Sequence, residues 1–392
     1  MKLLVIGMGQ AGCRIADEFA RLNGRARAQR GIEIVVGAFA VNTDVADLSG
    51  LHYIGTNYQS RILIGGRKSG GHGVGKINEV GAEIAREDGD KVINAVRTAK
   101  RFFESDAFML IASSGGGTGS GALPVITQMV KDRYGDKPVF GMVVLPFEHE
   151  EATEERTIYN TATCLKSLNT VADAVFLIDN QRYVRKDSSL RNNLMKINAQ
   201  IVEPFYDFLC AGEEKKSKFI GSKVLDAGDI TQTIAGWTVI GTGKSEMHMI
   251  GLPFKRKDSF REKSTETHRG IHAMDEALSE LSLRCNPGDA SRALYLVSAP
   301  HKEMNVDLVK ELGDYLRSLC PNAVIRSGDY PREKTSMVVT VVLSALGDVE
   351  KIRDYYNKAT GLAPEYQKRQ EVAESKLKSI DEAGKDVPSL LG

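Results

Sequence analysis

The chain has 392 residues, 42% of them apolar and 26% charged, the make-up of a folded globular protein with room for two or three domains. Its net charge of +1 gives no bulk pull toward nucleic acid or an anionic membrane, so neither is an expected partner. No apolar run reaches the roughly 18 residues of a membrane-crossing helix. Five scattered cysteines without a CxxC pair fit a reducing, cytoplasmic setting rather than a disulfide framework.

In chain order, KLLVIG (2–7) reads as a buried strand. That apolar start is about five residues long and ends in a glycine turn, too short for a leader peptide. Helical spacing follows over 11–22, then the basic run RARAQR (25–30) reads as a solvated loop. A second buried strand covers 32–44, a helix interrupted near Gly89 covers 81–102, and a third strand covers 107–114. Next come a helix over 121–135, a strand over 138–147, a helix over 160–172 and a strand over 173–180. This βαβα order predicts an α/β fold, a parallel sheet with helices on both faces. One long helix is expected over 194–210, and the charged GEEKKSK (212–218) marks a boundary. Beyond it, strands at 237–243, 291–299 and 335–345 with helices near 272–283, 305–320 and 348–358 predict a smaller α+β unit. Trp237 is expected in its core, and the charged end is expected to extend as a helix and then fray.

Two glycine turns carry the chemistry. GMGQAG (Gly7, Gly9, Gly12) follows the first strand and opens a helix; GGGTGSG (115–121) does the same after the third. Glycine lets backbone approach a phosphate, and a helix N-terminus meets its charge with N–H groups. Gly115, Gly116, Gly117 and Gly119 offer only backbone, with the Thr118 and Ser120 hydroxyls beside them, so the loop reads as an anion nest. Two such turns at the carboxyl ends of one sheet place a nucleotide in the crevice. A nicotinamide-dependent oxidoreductase is the competing reading. It needs an acidic residue about 20 residues past the first turn, and here Asp44 stands more than 30 beyond Gly12. No GK[ST] follows the glycines, so this is no Walker loop. KVLDAGDI (223–230) holds Asp226 and Asp229 at i, i+3, which reads either as a helix cap or as two carboxylates on one face.

These motifs resemble the tubulin/FtsZ superfamily of polymerising GTPases, and the blend of GGGTGSG, GQAGCRI, VNTD, GHGVG, NEVG and DAGDI is most similar to the archaeal CetZ group. The resemblance implies a Rossmann-like GTPase domain over 1–193, a connecting core helix and boundary over 194–218, a second α+β domain over 219–362, and a charged tail over 363–392. It implies GTP or GDP bound with Mg²⁺. Gly9, Gln10, Ala11 and Cys13 would line the first phosphate loop, Asn42 and Asp44 would lie near the ion, and Asp44 would hold it through water. Gly73, Val74 and Gly75 would approach the γ-phosphate, Gly115, Gly116, Gly117, Thr118 and Gly119 the α- and β-phosphates, and Pro146 would end the next loop. Glu151 and Arg156 would reach the ribose or phosphates, and Asn180 and Asn198 would read the guanine. The family's stacking aromatic four residues before Asn198 is Leu194 here. Asp226 and Asp229 would complete the site of the next subunit in a head-to-tail filament, and Val224 replaces an Asn of the FtsZ branch, so slow turnover is expected. The implied role is cell shape control. A division ring, a non-polymerising nucleotide-binding regulator and an unknown partner for the tail stay open, and DEAGKDVPSLLG does not resemble the division proteins' terminal recognition peptide.

Overall fold

Short runs rich in Val, Ile, Leu and Phe with no charged interruption become strands buried on both faces: β1 (Leu3–Met8), β4 (Ala107–Ser113), β5 (Val139–Leu145) and β6 (Ala174–Asp179). The computed structural model describes residues 1–184, 190–246, 259–333 and 336–384. Among these, the remaining strands are β2 (Val35–Asn42), β3 (Arg61–Leu63), β7 (Gly236–Glu246), β8 (Ala290–Ala299), β9 (Val324–Pro331) and β10 (Ser336–Leu346). All ten join one sheet in the order β3-β2-β1-β4-β5-β6-β7-β10-β8-β9.

The sheet is parallel from β3 to β7 and turns antiparallel at β10. The smaller unit does not build a separate sheet. β7 pairs with β6 at Ala174↔Gly236, Val175↔Trp237 and Phe176↔Thr238, then with β10 further along. Because side chains alternate across a strand, β1 feeds two cores: Leu4, Ile6 and Met8 enter one, Leu3 and Val5 the other. Helices Asn78–Arg97, Thr118–Arg133 and Glu155–Val171 cover the first face, and helices Gly9–Arg30 and Leu190–Val202 the second. Phe205 stands edge-on to Phe19 and Phe176, with ring centroids 5.4 and 5.2 Å away, and anchors the chain's centre to this second face.

Several expectations change. RARAQR is not a loop: the first helix continues to Arg30 and ends at Gly31 in a left-handed cap (φ 71°). Arg25 pairs with Glu203 (2.9 Å) and lies 3.7 Å from the Tyr206 ring centroid, so its charge is matched within the fold. The helix Asn78–Arg97 runs unbroken through Gly89, where a Cβ would meet the Met129 sulfur at 2.4 Å; the glycine serves helix contact, not a break. The expected helix over 194–210 is two helices, Leu190–Val202 and Phe205–Cys210, parted at Pro204, which lacks the N–H a continuous helix requires. The apolar runs miss β3 and β9. β9 carries Arg, Ser, Gly and Asp, and becomes a strand by pairing along its length with β8, from Arg292↔Val324 to Ala299↔Pro331. Trp237 is half-buried. The last helix spans Glu350–Gly384, and the expected frayed end, 387–392, lies outside the described residues.

Asp17 shows how polar groups secure the loop beyond β2. It is buried and accepts the backbone N–H groups of His52 (2.9 Å), Tyr53 (2.7 Å) and Ile54 (2.7 Å). Asp17→Ala strands three donors, at about 1–3 kcal/mol each if they stay buried. A loss of about 3 kcal/mol or more is expected in denaturant unfolding, and Asp17→Asn, which keeps one acceptor oxygen, should lose less.

Candidate functional site

β1 and β4 are neighbours in parallel register, so Met8 pairs with Ala112 and both strands end at the same edge. Each runs into a helix, Gly9–Arg30 and Thr118–Arg133. Neither helix has a side-chain cap or an acidic residue in its first turn. Two sets of unsatisfied N–H groups, each the positive end of a helix dipole, therefore face one place. A cavity of about 450 Å³ opens there.

The structure gathers most of the expected residues around this cavity: Gly9, Gln10, Ala11, Asn42, Asp44, Gly73, Val74, Gly75, Gly115, Gly116, Gly117, Thr118, Gly119, Asn180 and Asn198. The glycines divide by function. A Cβ on Gly9 (φ 68°) would lie 2.9 Å from the Gly119 nitrogen, and one on Gly117 2.6 Å from a Val74 methyl. Those positions are bare so that the loops can touch. A Cβ on Gly116, Gly73 or Gly75 would meet nothing within 4 Å. At Gly116, space is left on the cavity side.

Side chains stiffen this cradle. Thr118 Oγ1 is hydrogen-bonded to Thr43 Oγ1 at 2.7 Å. Asp47 accepts from Gln10 Nε2 (2.7 Å) and Asn42 Nδ2 (3.0 Å), tying the first loop to the end of β2. Asp44 caps the helix Val45–Ser49, accepting from the N–H groups of Ala46 (2.8 Å) and Asp47 (3.1 Å). Asn160 Nδ2 donates to the carbonyls of Lys76 (2.8 Å), Gly115 (3.2 Å) and Gly116 (3.1 Å), joining two loops. Gly75 and Lys76 are both left-handed (φ 58° and 60°), and Lys76, a non-glycine residue, holds that conformation on the cavity wall.

Sequence reasoning did not single out Thr43, Asp47, Lys76, Thr157 or Asn160. Asp47 stands three residues after Asp44, at helical spacing that could have marked it. The others had no local signal. Phe147 and His149 also line the cavity, stacked with ring centroids 5.5 Å apart and planes at 20°. An aromatic wall is thus supplied from the turn after β5, while Leu194 lines the cavity with Asn180 and Asn198.

Four expected binding residues lie elsewhere. Cys13 is fully buried, its thiol donating to the carbonyls of Gly7 (3.5 Å) and Val41 (3.4 Å), so it fills space under the loop rather than lining it. Pro146 stands behind Gly115, 3.2 Å from where its Cβ would be. Glu151 points away from the cavity and accepts the Tyr355 hydroxyl of the last helix. Arg156 pairs with Glu79 and lies near the Tyr159 and Tyr366 rings. A single residue, about 100° of helix rotation, separates cavity-lining Glu150 and Thr157 from these two, and an unaligned sequence cannot phase that rotation.

Asp226 and Asp229 do not line the cavity either. Asp226 caps the helix Ala227–Thr233, accepting from the Asp229 N–H at 2.8 Å, so the capping reading is realised. Asp226 is exposed and Asp229 half-exposed.

The cavity fits a phosphate chain. Its two helix N-termini lack caps, and Thr157 Oγ1 is buried on its wall with no protein partner. Among the described residues no group of three His, Cys, Asp or Glu could hold a metal ion. Asp44, Asp47 and Glu150 are the acids on the wall, the setting in which a divalent ion would take few protein ligands and the rest from water and phosphate.

Residues 2–186 match the GTPase domain of the tubulin/FtsZ family, and residues 187–361 match the C-terminal domain of tubulin-like CetZ. Tubulin-like protein CetZ5 of Haloferax volcanii is 32% identical over 391 residues, covering 95% of this chain and 94% of the relative. The chain belongs to the tubulin/FtsZ family, in its CetZ group. The GDP-bound monomer of Haloferax volcanii CetZ1 superposes with a TM-score of 0.79 at 29% identity, covering 93% of this chain and all of that one. The GTPγS-bound protofilament of CetZ2 from the same organism gives 0.79 at 25% identity, covering 94% and 100%. No described helix of this CetZ-group chain is long and apolar enough to cross a membrane.

Burial also sets the thiol chemistry. It pushes Cys164, Cys210 and Cys285 up to about 12 and Cys320 to about 11, and raises Cys13 strongly. A thiol reagent at pH 8 is expected to label the native protein slowly and all five cysteines quickly in denaturant. One fast native thiol would contradict this.

Proposed function

We propose that this cleft binds GTP and GDP, and that GTP is hydrolysed when another copy of the chain brings Asp226 and Asp229 to it. The observation that carries the reading is the pair of uncapped helix N-termini, joined by glycine loops whose Gly116 face is open, in a chain of this family. Phosphates would lie on the N–H groups after Gly9 and Gly117, with Arg14 and Lys76 as cations on the wall. Asn180 and Asn198 would read the base edge, an amide being both donor and acceptor, with Phe147 or His149 beside the ring. Mg²⁺ would neutralise developing charge on the phosphates, and Asp44 or Asp47, carboxylates on the cavity wall, would hold it through water.

Asp226 and Asp229 sit outside their own cleft, which suits a site completed by a neighbour. There the carboxylates would orient and polarise the attacking water in line with the γ-phosphate. A head-to-tail contact that does not close on itself yields a filament. The named neighbours, a GDP-bound monomer and a GTPγS-bound protofilament, support both halves of the reading. A cytoplasmic role in cell shape is the cellular task this implies.

Turnover measured against protein concentration tests the proposal. Specific activity should rise steeply with concentration, and sedimentable assembly should require GTP. Activity independent of concentration would leave a self-contained GTPase, and binding without turnover or assembly a nucleotide-dependent regulator. The nicotinamide reading lacks support: β2 ends in Asn42, followed by the buried Thr43.

A further inference from the structure

The shared-site reading raises an electrostatic problem. Two carboxylates must approach a nucleotide triphosphate, itself strongly negative, in a contact that excludes water. Coulomb repulsion rises as the local dielectric falls, so beyond the cations on the nucleotide's side such a contact is favoured by a cation that travels with the carboxylates.

Arg326 is positioned to be that cation. It projects from β9, at the edge of the sheet, onto the helix Ala227–Thr233. Its Nε lies 3.4 Å from Asp229 Oδ1, Nη2 donates to Gln232 Oε1 at 2.5 Å, and Nη1 to Thr233 Oγ1 at 3.4 Å. Three groups of one helix thus fix the guanidinium. Arg292 supports the same helix, donating to the Gln232 carbonyl at 2.9 Å. The Asp229–Arg326 pair is part-exposed, with side-chain exposures of 42% and 28%. An ion pair of that kind contributes little to folding. Its strength grows only when a partner surface removes the water around it.

The geometry points to Arg326 as a positioning residue for the cross-subunit site: it aims Asp229 and offsets its charge as the carboxylates meet the neighbour's nucleotide. This rests on the shared-site reading above. Arg326 does not touch the reacting atoms; it acts through Asp229.

The experiment is a double-mutant cycle on the full chain, read as the critical concentration for GTP-driven assembly. Arg326→Gln keeps polar contacts to the helix but removes the charge, and is expected to raise the critical concentration about tenfold, while Arg326→Lys recovers most of the loss. In an Asp229→Asn background, where the charge to be offset is gone, Arg326→Gln should change assembly by no more than about twofold. Unchanged GDP binding by each isolated subunit reports an intact fold. An equal penalty in both backgrounds, or none in either, overturns the role of Arg326. Wild-type chain whose activity ignores concentration would instead remove the shared site itself.

Discussion

Gly116→Val is expected to weaken GDP binding on the order of a hundredfold while leaving the thermal unfolding midpoint nearly unchanged, since one or two charge-assisted hydrogen bonds are worth about 1.5–3 kcal/mol each. A Cβ at this position meets no protein atom within 4 Å, so the fold has room for it. The cavity does not: the new methyl groups would stand where the proposed binding mode puts a phosphate oxygen against backbone N–H groups. Gly9→Val makes the contrasting case. Its φ of 68° suits glycine, and its Cβ would lie 2.9 Å from the Gly119 nitrogen. That variant should lose stability as well as binding, by about 2–3 kcal/mol or more from strain alone. Calorimetry and fluorescent-GDP titration of both variants separate the two effects. If Gly116→Val unfolds as easily as Gly9→Val, the second glycine turn is bare for packing and not for a ligand.

Asp229→Ala is expected to lower GTP turnover by a factor on the order of 10²–10³, the scale of a water-positioning or charge-stabilising group, while GTP affinity of the isolated subunit stays within about twofold. Asp226 needs a gentler substitution. Asp226→Ala also removes the cap of Ala227–Thr233, worth about 1 kcal/mol, whereas Asp226→Asn keeps an acceptor for the Asp229 N–H and removes only the charge. Mixing Asp229→Ala with Gly116→Val then isolates the shared site. One variant binds nucleotide without donating the carboxylate, and the other donates it while binding about a hundredfold more weakly, so at GTP concentrations too low to fill the weakened site a mixture should hydrolyse faster than either alone. Loss of GTP affinity in Asp229→Ala, or no rescue under conditions that allow mixed assembly, would place both carboxylates in some other role.

Much of the site could be read before the fold was known, and the exceptions have physical causes. The two glycine turns, Asn42, Asp44, Asn180 and Asn198 all reach the cavity because each follows directly on a strand or stands at a fixed helical offset. Cys13, Glu151 and Arg156 were misplaced because they depend on which side of a helix faces the sheet edge. Asn160 and Thr157 were missed because their partners, the loop carbonyls and the cavity itself, lie far away in sequence.

Local rules therefore determined the strand–glycine–helix grammar: apolar runs too short for anything but buried strands, and glycine where the chain must turn at once into a helix. Only the tertiary structure decided what each glycine was for. Gly9, Gly117 and Gly119 are forced by contacts between loops distant in sequence, while Gly116 faces open space. It also decided that the smaller unit continues the same sheet, through the pairing of β7 with β6, and that Arg326 comes to rest on Asp229. Neither contact is encoded in a window of residues, because each arises from strand order, which burial of both faces of the sheet selects for the chain as a whole.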